Sequence, residues 1–110
     1  MAYDEELADR VRELVPVALD LQEKQMFGGL SFLVGGKMAI AVSGEGGLLV
    51  RVDPQMCDHL VDTTTAEVAV MKGRPMTGWL RVPLAGVATD AELDRWVQLG
   101  TSYARTLTPT

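Results

Sequence analysis

The sequence predicts an α+β fold in which helices pack on a five-stranded antiparallel sheet. Apolar runs separated by glycine pairs fill residues 26–53, and Gly35-Gly36 lies between two of these runs. A two-residue turn of this kind joins antiparallel neighbours, and glycine suits it because both central residues need positive φ. Apolar stripes with helical spacing lie near both ends of the chain. The predicted order of elements is therefore α-βββ-α-ββ-α.

Length and composition indicate one globular domain spanning residues 1–110. Hydrophobic residues make up 47% of the chain, a share that supports a packed core. Cys57 is the single cysteine, so no disulfide can form within the chain. The N-terminal residues are acidic and polar, and no apolar run approaches the roughly 20 residues that span a bilayer. We therefore expect a cytoplasmic protein without a membrane segment.

The net negative charge of the chain indicates which kinds of molecule it can bind. The formal net charge is −5 and the isoelectric point about 4.7. Nucleic-acid binding depends on neutralising phosphates with a basic surface, so direct binding to nucleic acid is not expected. The bulk charge favours a protein partner, including a second copy of the chain, or a small ligand.

The first helix is predicted to start after Asp4, which suits the N-cap position. Pro16 predicts that the helix ends near Val15, or kinks there and trails off by Leu19. Leu21–Met26 is predicted as an extended lead-in that pairs with the edge of the following strands. The apolar stripe of the helix consists of Leu7, Val11, Leu14, Ala18 and Leu21.

Three strands are predicted at the centre of the chain, at Leu30–Val34, Lys37–Val42 and Leu48–Val52. In the third strand, side chains alternate between two faces. One face is purely apolar and predicts core, whereas the other includes Arg51 and Asp53. The second face is therefore either partly covered or functional.

A short helix is predicted to open at Asp53 and to reach about Leu60. Asp53 serves as the N-cap, and Pro54 occupies the first helical position, where its missing N–H costs nothing. Met56 and Leu60 are predicted to form the buried side of this helix.

The last elements are predicted from alternation and capping. Glu67–Met71 and Trp79–Val82 alternate as strands, and Lys72–Gly78 between them is predicted as a loop. Thr89 with Glu92 forms a capping box that opens the final helix. The apolar stripe of this helix consists of Leu93, Trp96, Val97, Gly100, Ala104 and Leu107.

Two glycine pairs are predicted to be critical for the backbone. Gly35 and Gly36 form the hairpin turn described above. Gly28 and Gly29 predict a bulge or a close backbone approach, and a glycine-cradled anion site is the alternative. No helix beginning with Lys-Ser or Lys-Thr follows them, so they do not form a phosphate loop.

The sequence shows no constellation for catalysis or metal binding. Cys57 and His59 are two residues apart on a short helix, so they face different directions and cannot chelate one metal together. Cys57 is interpreted as a small buried hydrophobic residue. The acidic clusters lie in first turns of helices, where capping explains them. We expect no enzyme activity, no cofactor and no metal.

The best candidate surface combines Arg51, Trp79 and Arg81 with Lys72 and Arg74 of the predicted loop. These basic residues concentrate in an otherwise acidic chain. Arg51 and Arg81 occupy strand positions that alternate with core residues, so both are predicted to project onto one solvent-facing surface. This surface is either a solvated face with ion pairs or a contact for an anion or an acidic protein.

Five segments, taken in order, resemble the N-terminal domain of the TfoX/Sxy competence regulators and their stand-alone relatives. The order and spacing of these segments carry the resemblance, which covers nearly the whole chain, including the helix with Trp96. The segments are MFGG at Met26–Gly29, GGKMA at Gly35–Ala39, LLVRVD at Leu48–Asp53, KGRPM at Lys72–Met76 and WLRVP at Trp79–Pro83.

The resemblance implies a curved antiparallel sheet of five strands with flanking helices, similar to the type III secretion chaperone-like group. Full-length TfoX-like proteins act as positive regulators of natural competence and are thought to assist a cyclic-AMP receptor protein at certain promoters. They carry a second, helical C-terminal domain. The family offers no established catalytic residues.

Two functions are predicted from these observations. The first is a non-catalytic regulatory or protein-interaction module, which acts on a protein partner or as a homodimer. The alternative is a domain that binds a small anionic ligand through the Lys72–Gly78 loop and the glycines at Gly28-Gly29.

Overall fold

The computed structural model describes residues 4–15, 21–26, 29–44 and 46–107. In these ranges the chain forms helices α1 (Glu5–Leu14), α2 (Cys57–Thr63) and α3 (Asp90–Thr106). The strands are β1 (Leu21–Met26), β2 (Gly29–Val34), β3 (Lys37–Val42), β4 (Leu48–Arg51), β5 (Glu67–Met71) and β6 (Arg74–Val82). Short 3₁₀ turns at Pro54–Met56 and Leu84–Val87 precede α2 and α3. The predicted α+β class is confirmed.

The described strands form one antiparallel sheet in the order β1-β2-β3-β4-β6-β5. The prediction of five strands was wrong because Leu21–Met26 is a complete strand that pairs with β2 along its length. Its expected pairing with the edge of the sheet is confirmed. Leu21–Met26 shows no apolar alternation. A strand at the edge of the sheet does not need a continuous buried face, so this signal for a strand is missing. The likeness to the chaperone-like group stays a prediction.

The predicted loop at Lys72–Gly78 was also wrong, because the turn comprises only Lys72 and Gly73. Both residues have positive φ, 53° and 77°, as a two-residue hairpin turn requires. Strand β6 then begins at Arg74 and includes Pro75 and Gly78, which belonged to the predicted loop. Because β4 pairs with β6 only from Trp79 onward, the first half of β6 has a free side along which proline is tolerated.

The boundaries of α1 and α3 follow the predicted caps, whereas α2 extends to Thr63, beyond the predicted end near Leu60. The Asp4 side chain accepts a hydrogen bond from the Leu7 N–H, and α1 ends at Leu14, as predicted. Pro16 and the predicted trailing turn to Leu19 lie outside the described residues. The capping box of α3 is confirmed, with Thr89 Oγ1 accepting from the Glu92 N–H at 3.1 Å.

The buried side predicted for the second helix is half right. Leu60 is buried in the core, whereas Met56 is 42% exposed. Met56 belongs to the 3₁₀ turn that Asp53 caps, and α2 itself starts at Cys57. The tighter turn changes the direction of the Met56 side chain relative to that of a continuous α-helix.

One face of the sheet, called here the inner face, packs under α1 and α3. Its buried side chains include Phe32, Ile40, Val50 and Leu80, which join Leu7 and Val11 of α1 and Leu93, Trp96 and Val97 of α3 in one core cluster. Residues that alternate with this set along the strands point to the opposite, outer face.

A pair of hydrogen bonds joins α1 to the edge strand β1. Arg12 donates from Nε and from a terminal nitrogen to the two carboxylate oxygens of Glu23, at 2.8 and 2.7 Å. These hydrogen bonds hold the pKa of Glu23 below its usual value and raise that of Arg12. The pair stabilises the seam between the helical layer and the first strand.

The structure describes three of the four glycines that were predicted to be critical for the backbone, Gly29, Gly35 and Gly36. Gly35 and Gly36 have φ of 58° and 84° and connect β2 to β3. At Gly29 a Cβ would clash with the carbonyl oxygen of Val42, so the backbone passes as close as predicted. Gly28 lies outside the described residues.

No helix among the described residues is both long enough and apolar enough to cross a bilayer.

Candidate functional site

Pairing between β4 and β6 places three of the predicted site residues on the outer face. Arg51 lies opposite Trp79, and Leu49 lies opposite Arg81. Since Trp79 and Arg81 are two residues apart on β6, they point to the same side as Arg51. The structure therefore brings these three side chains together, as the alternation predicts for Arg51 and Arg81.

The centre of this group is the Arg51 guanidinium, which lies between two aromatic rings. It is 5.0 Å from the ring centroid of Trp79 and 6.0 Å from that of Tyr103. Both distances lie in the range of cation–π attraction, which is strongest for tryptophan. No described carboxylate forms an ion pair with Arg51. The rings therefore orient the cation while its N–H groups stay available to an acceptor from outside.

Tyr103 is a site residue that the sequence reasoning missed. It comes from α3, so the Arg51 contact joins the C-terminal helix to the outer end of β4. Tyr103 follows Trp96 by seven residues, which places it on the same flank of the helix two turns later. The seven-residue spacing could have placed Tyr103 on the same side of the helix as Trp96. It could not have shown that Arg51, from another element, reaches the Tyr103 ring.

Arg81 lies at one side of this group, above a recess of about 450 Å³. Its cross-strand neighbours are Leu49 on β4 and Glu67 on β5. The recess is lined by Gly46, Thr65, Glu67 and the segment from Arg81 to Leu84. An acidic neighbour fits the interpretation of this part of the surface as a solvated face with ion pairs.

The other two predicted residues, Lys72 and Arg74, lie elsewhere. Both are exposed at the tip of the β5–β6 hairpin, and neither forms an ion pair with a described carboxylate. Arg74 precedes Trp79 by five residues of strand, roughly 16 Å at the rise of extended chain. The predicted site therefore separates into two parts. The first, called here the outer-face cluster, consists of Arg51, Trp79 and Arg81 on the sheet together with Tyr103, which reaches Arg51 from α3. The second is the hairpin tip (Lys72 and Arg74).

A second concave feature lies between α2 and α3. It is a mainly apolar groove of about 450 Å³ that was not predicted from the sequence. Met56 and Leu60 line one side, Leu99 and Tyr103 the other, and Arg95 lies at the border. Tyr103 therefore contributes to both the groove and the outer-face cluster.

Cys57 and His59 do not form a reactive pair. Cys57 is buried, and its Sγ accepts a hydrogen bond of 3.5 Å from the N–H of Gly78. His59 is exposed on α2. The interpretation of Cys57 as a small buried residue is confirmed. Within the described ranges, no three ligand-type side chains are grouped to hold a metal ion.

Fold and site together define a small α+β domain whose outer sheet face carries Arg51, Trp79 and Arg81. The sequence matches the family model of the TfoX N-terminal domain over residues 13–104. The chain therefore belongs to the TfoX N-terminal domain family, which confirms the predicted resemblance. No curated protein and no solved structure matches the chain.

Proposed function

We propose that this chain is a non-catalytic regulatory module that binds a protein partner through the outer-face cluster. The observation that carries the proposal is the Arg51 guanidinium held between the rings of Trp79 and Tyr103. Arginine and tryptophan are the residue types most often found at the energetic centres of protein interfaces. Here they are already oriented, which lowers the entropic cost of binding.

The surroundings of the cluster support a protein as the ligand. Leu49 and Trp79 are half-buried on an extended strand surface, and Arg51 and Arg81 add positive charge there. An acidic segment of a partner complements these cations, and the net charge of −5 disfavours nucleic acid. Family membership supports a regulatory setting, in which the partner is a transcription regulator in the cytoplasm.

The test is affinity capture from source cells with quantitative mass spectrometry, followed by a binding titration with the captured protein. Arg51→Ala should weaken binding by about 2 kcal/mol, roughly thirtyfold in Kd, because it removes the central cation. Arg95→Ala is the matched control, since Arg95 is an exposed arginine on α3 outside the cluster. Equal binding by the two variants, or no partner in stoichiometric amount, would count against the proposal.

The anion-binding alternative now concerns the hairpin tip. Its support is that Lys72 and Arg74 are exposed and pair with no described carboxylate. It predicts that an anionic metabolite raises the melting temperature, by an amount that depends on ligand excess over Kd. Arg74→Ala should abolish the shift, whereas Lys37→Ala, an exposed cation at the start of β3, should keep it. A shift that persists in Arg74→Ala would remove the hairpin tip from consideration.

A further inference from the structure

The two edges of the sheet differ in chemistry. Strand β1 ends the sheet on one side and carries four exposed polar or charged residues in succession, from Gln22 to Gln25. Strand β5 ends it on the other side, where Val70 is 60% exposed. Met76, on the neighbouring strand of the same hairpin, lies opposite Ala69 and therefore points to the other face. One edge of the sheet is polar, whereas the other exposes a large apolar side chain, Val70.

An edge strand presents backbone N–H and C=O groups that can pair with a further strand. Charged side chains protect such an edge because pairing would bring them together or remove them from water. Glu23 and Lys24 give β1 this protection. At Val70, by contrast, pairing would bury apolar surface and satisfy backbone groups at the same time.

We propose that β5 is a dimerisation edge, which pairs antiparallel with β5 of a second copy about a twofold axis near Ala69. This inference concerns a different surface from the outer-face cluster and stands independently of the partner proposed there. The resulting sheet would continue through both copies, from one β1 to the other.

The apolar pattern of β5 is self-complementary in this register. An antiparallel pair centred on Ala69 places Val68 of each copy opposite Val70 of the other. Val68 lies opposite Leu80 and packs against the core cluster. In such a pair the exposed Val70 of each copy would contact the apolar Val68 of the other.

The charges at the two ends of β5 are complementary as well. The strand starts at Glu67, shortly after the acidic Asp62, and ends at the cationic hairpin tip with Lys72 and Arg74. Antiparallel pairing sets the tip of each copy beside the acidic start of the other. In a twofold contact the β5 edges of both copies are paired with each other. Only the charged β1 edges then remain open, so the assembly ends at two copies.

The test is sedimentation velocity over a concentration series with the full chain. Wild type should show a reversible dimer, and Val70→Lys should raise the dimer Kd at least about tenfold, because each contact then opposes a charge to Val68. Val70→Thr keeps a branched side chain and should weaken the dimer less. Gln25→Lys is the matched control, since it adds the same charge to an exposed position on the opposite edge.

Hydrogen exchange at concentrations above and below the dimer Kd locates the contact without a substitution. Protection that grows with concentration in residues 66–71, and not in residues 21–26, supports the β5 edge. Three results would overturn the proposal: a wild-type monomer at the highest soluble concentration, a Val70→Lys dimer as tight as wild type, or protection confined to another segment. A monomer that still captures a partner through Arg51 would reject this inference alone.

Discussion

At the residue scale, the Arg12–Glu23 pair is the contact whose strength depends most directly on pH. It joins two elements through paired hydrogen bonds, and both side chains are partly exposed. The depressed pKa of Glu23 means that the folded protein favours the carboxylate. The pair therefore stabilises the fold at pH values above 4.5, the usual pKa of the carboxylate. This stability is lost as the pH falls through the lower pKa that Glu23 has in the folded protein.

Glu23→Gln should lower the free energy of unfolding at pH 7 by about 0.5–1 kcal/mol, a range set by solvent screening of a surface pair. The deficit should shrink below pH 4.5, where Glu23 of the wild type becomes protonated in the unfolded and then in the folded state. Urea titrations at several pH values measure this deficit in the free energy of unfolding. Glu13→Gln, on the same helix, is the control because Glu13 pairs with no described cation. Equal deficits for both variants would contradict the role of the pair.

Lys72 is the described non-glycine residue with positive φ, at 53°. Lysine adopts this left-handed conformation at a cost of about 1 kcal/mol, and asparagine tolerates it better. Lys72→Asn should therefore raise the free energy of unfolding by a few tenths to about 1 kcal/mol, as measured by thermal and urea denaturation. Loss of stability would show that the lysine side chain makes a stabilising contact that outweighs the backbone strain.

At the element scale, α3 lies unusually close to the sheet. A Cβ on Gly100 would lie 2.6 Å from the carbonyl oxygen of Ala39 and 3.2 Å from Cγ1 of Val50. Because the nearest atom belongs to the β3 backbone, a side-chain rotation cannot relieve the contact. The glycine lets the helix approach β3 and β4 and bury Trp96 and Val97.

Gly100→Ala should lower the free energy of unfolding by about 1–2 kcal/mol, since the overpacking outweighs the gain in helix propensity of about 1 kcal/mol. Denaturant titration measures the change. Ser102→Ala is the control, because Ser102 is exposed on the same helix and gains propensity without the clash. Stabilisation by Gly100→Ala would show that α3 can move away from the sheet at little cost.

The elements that could be predicted from the sequence are those with local signals. The Gly35-Gly36 turn and the capping box at Thr89 depend on residues that are neighbours in the chain. The missed strand β1 and the misassigned start of β6 depend on pairing with other strands, which compensates for polar residues and for Pro75. The contact of Arg51 with Tyr103 joins distant segments and has no local signature.

At the scale of the whole molecule, the C-terminal helix completes a core that the sheet and α1 begin. Its buried residues Leu93, Trp96 and Val97 join the cluster formed by the inner face and α1. Arg10 of α1 also pairs with Asp90 at the start of α3, at 3.3 Å. The two terminal helices therefore depend on each other, although most of the chain lies between them.

A chain that ends after Thr89 should lose cooperative unfolding, because the inner face then exposes its apolar side chains to water. Near-ultraviolet circular dichroism and urea titration measure the loss. A chain that ends after Thr106 keeps the whole of α3 and is the control. A cooperative transition in the shorter chain would mean that the sheet and α1 suffice as a folding unit.

The position of Cys57 allows chemical labelling to report on the separation of α2 from β6. The thiol is the only one in the sequence; Cys57 is the first residue of α2, and its Sγ lies against the backbone of Gly78 in β6. A thiol reagent can reach it only when α2 separates from β6, so the labelling rate reports how often this seam opens. If opening of the seam is linked to occupation of the neighbouring Arg51–Trp79 surface, a bound partner will slow the labelling without any added probe.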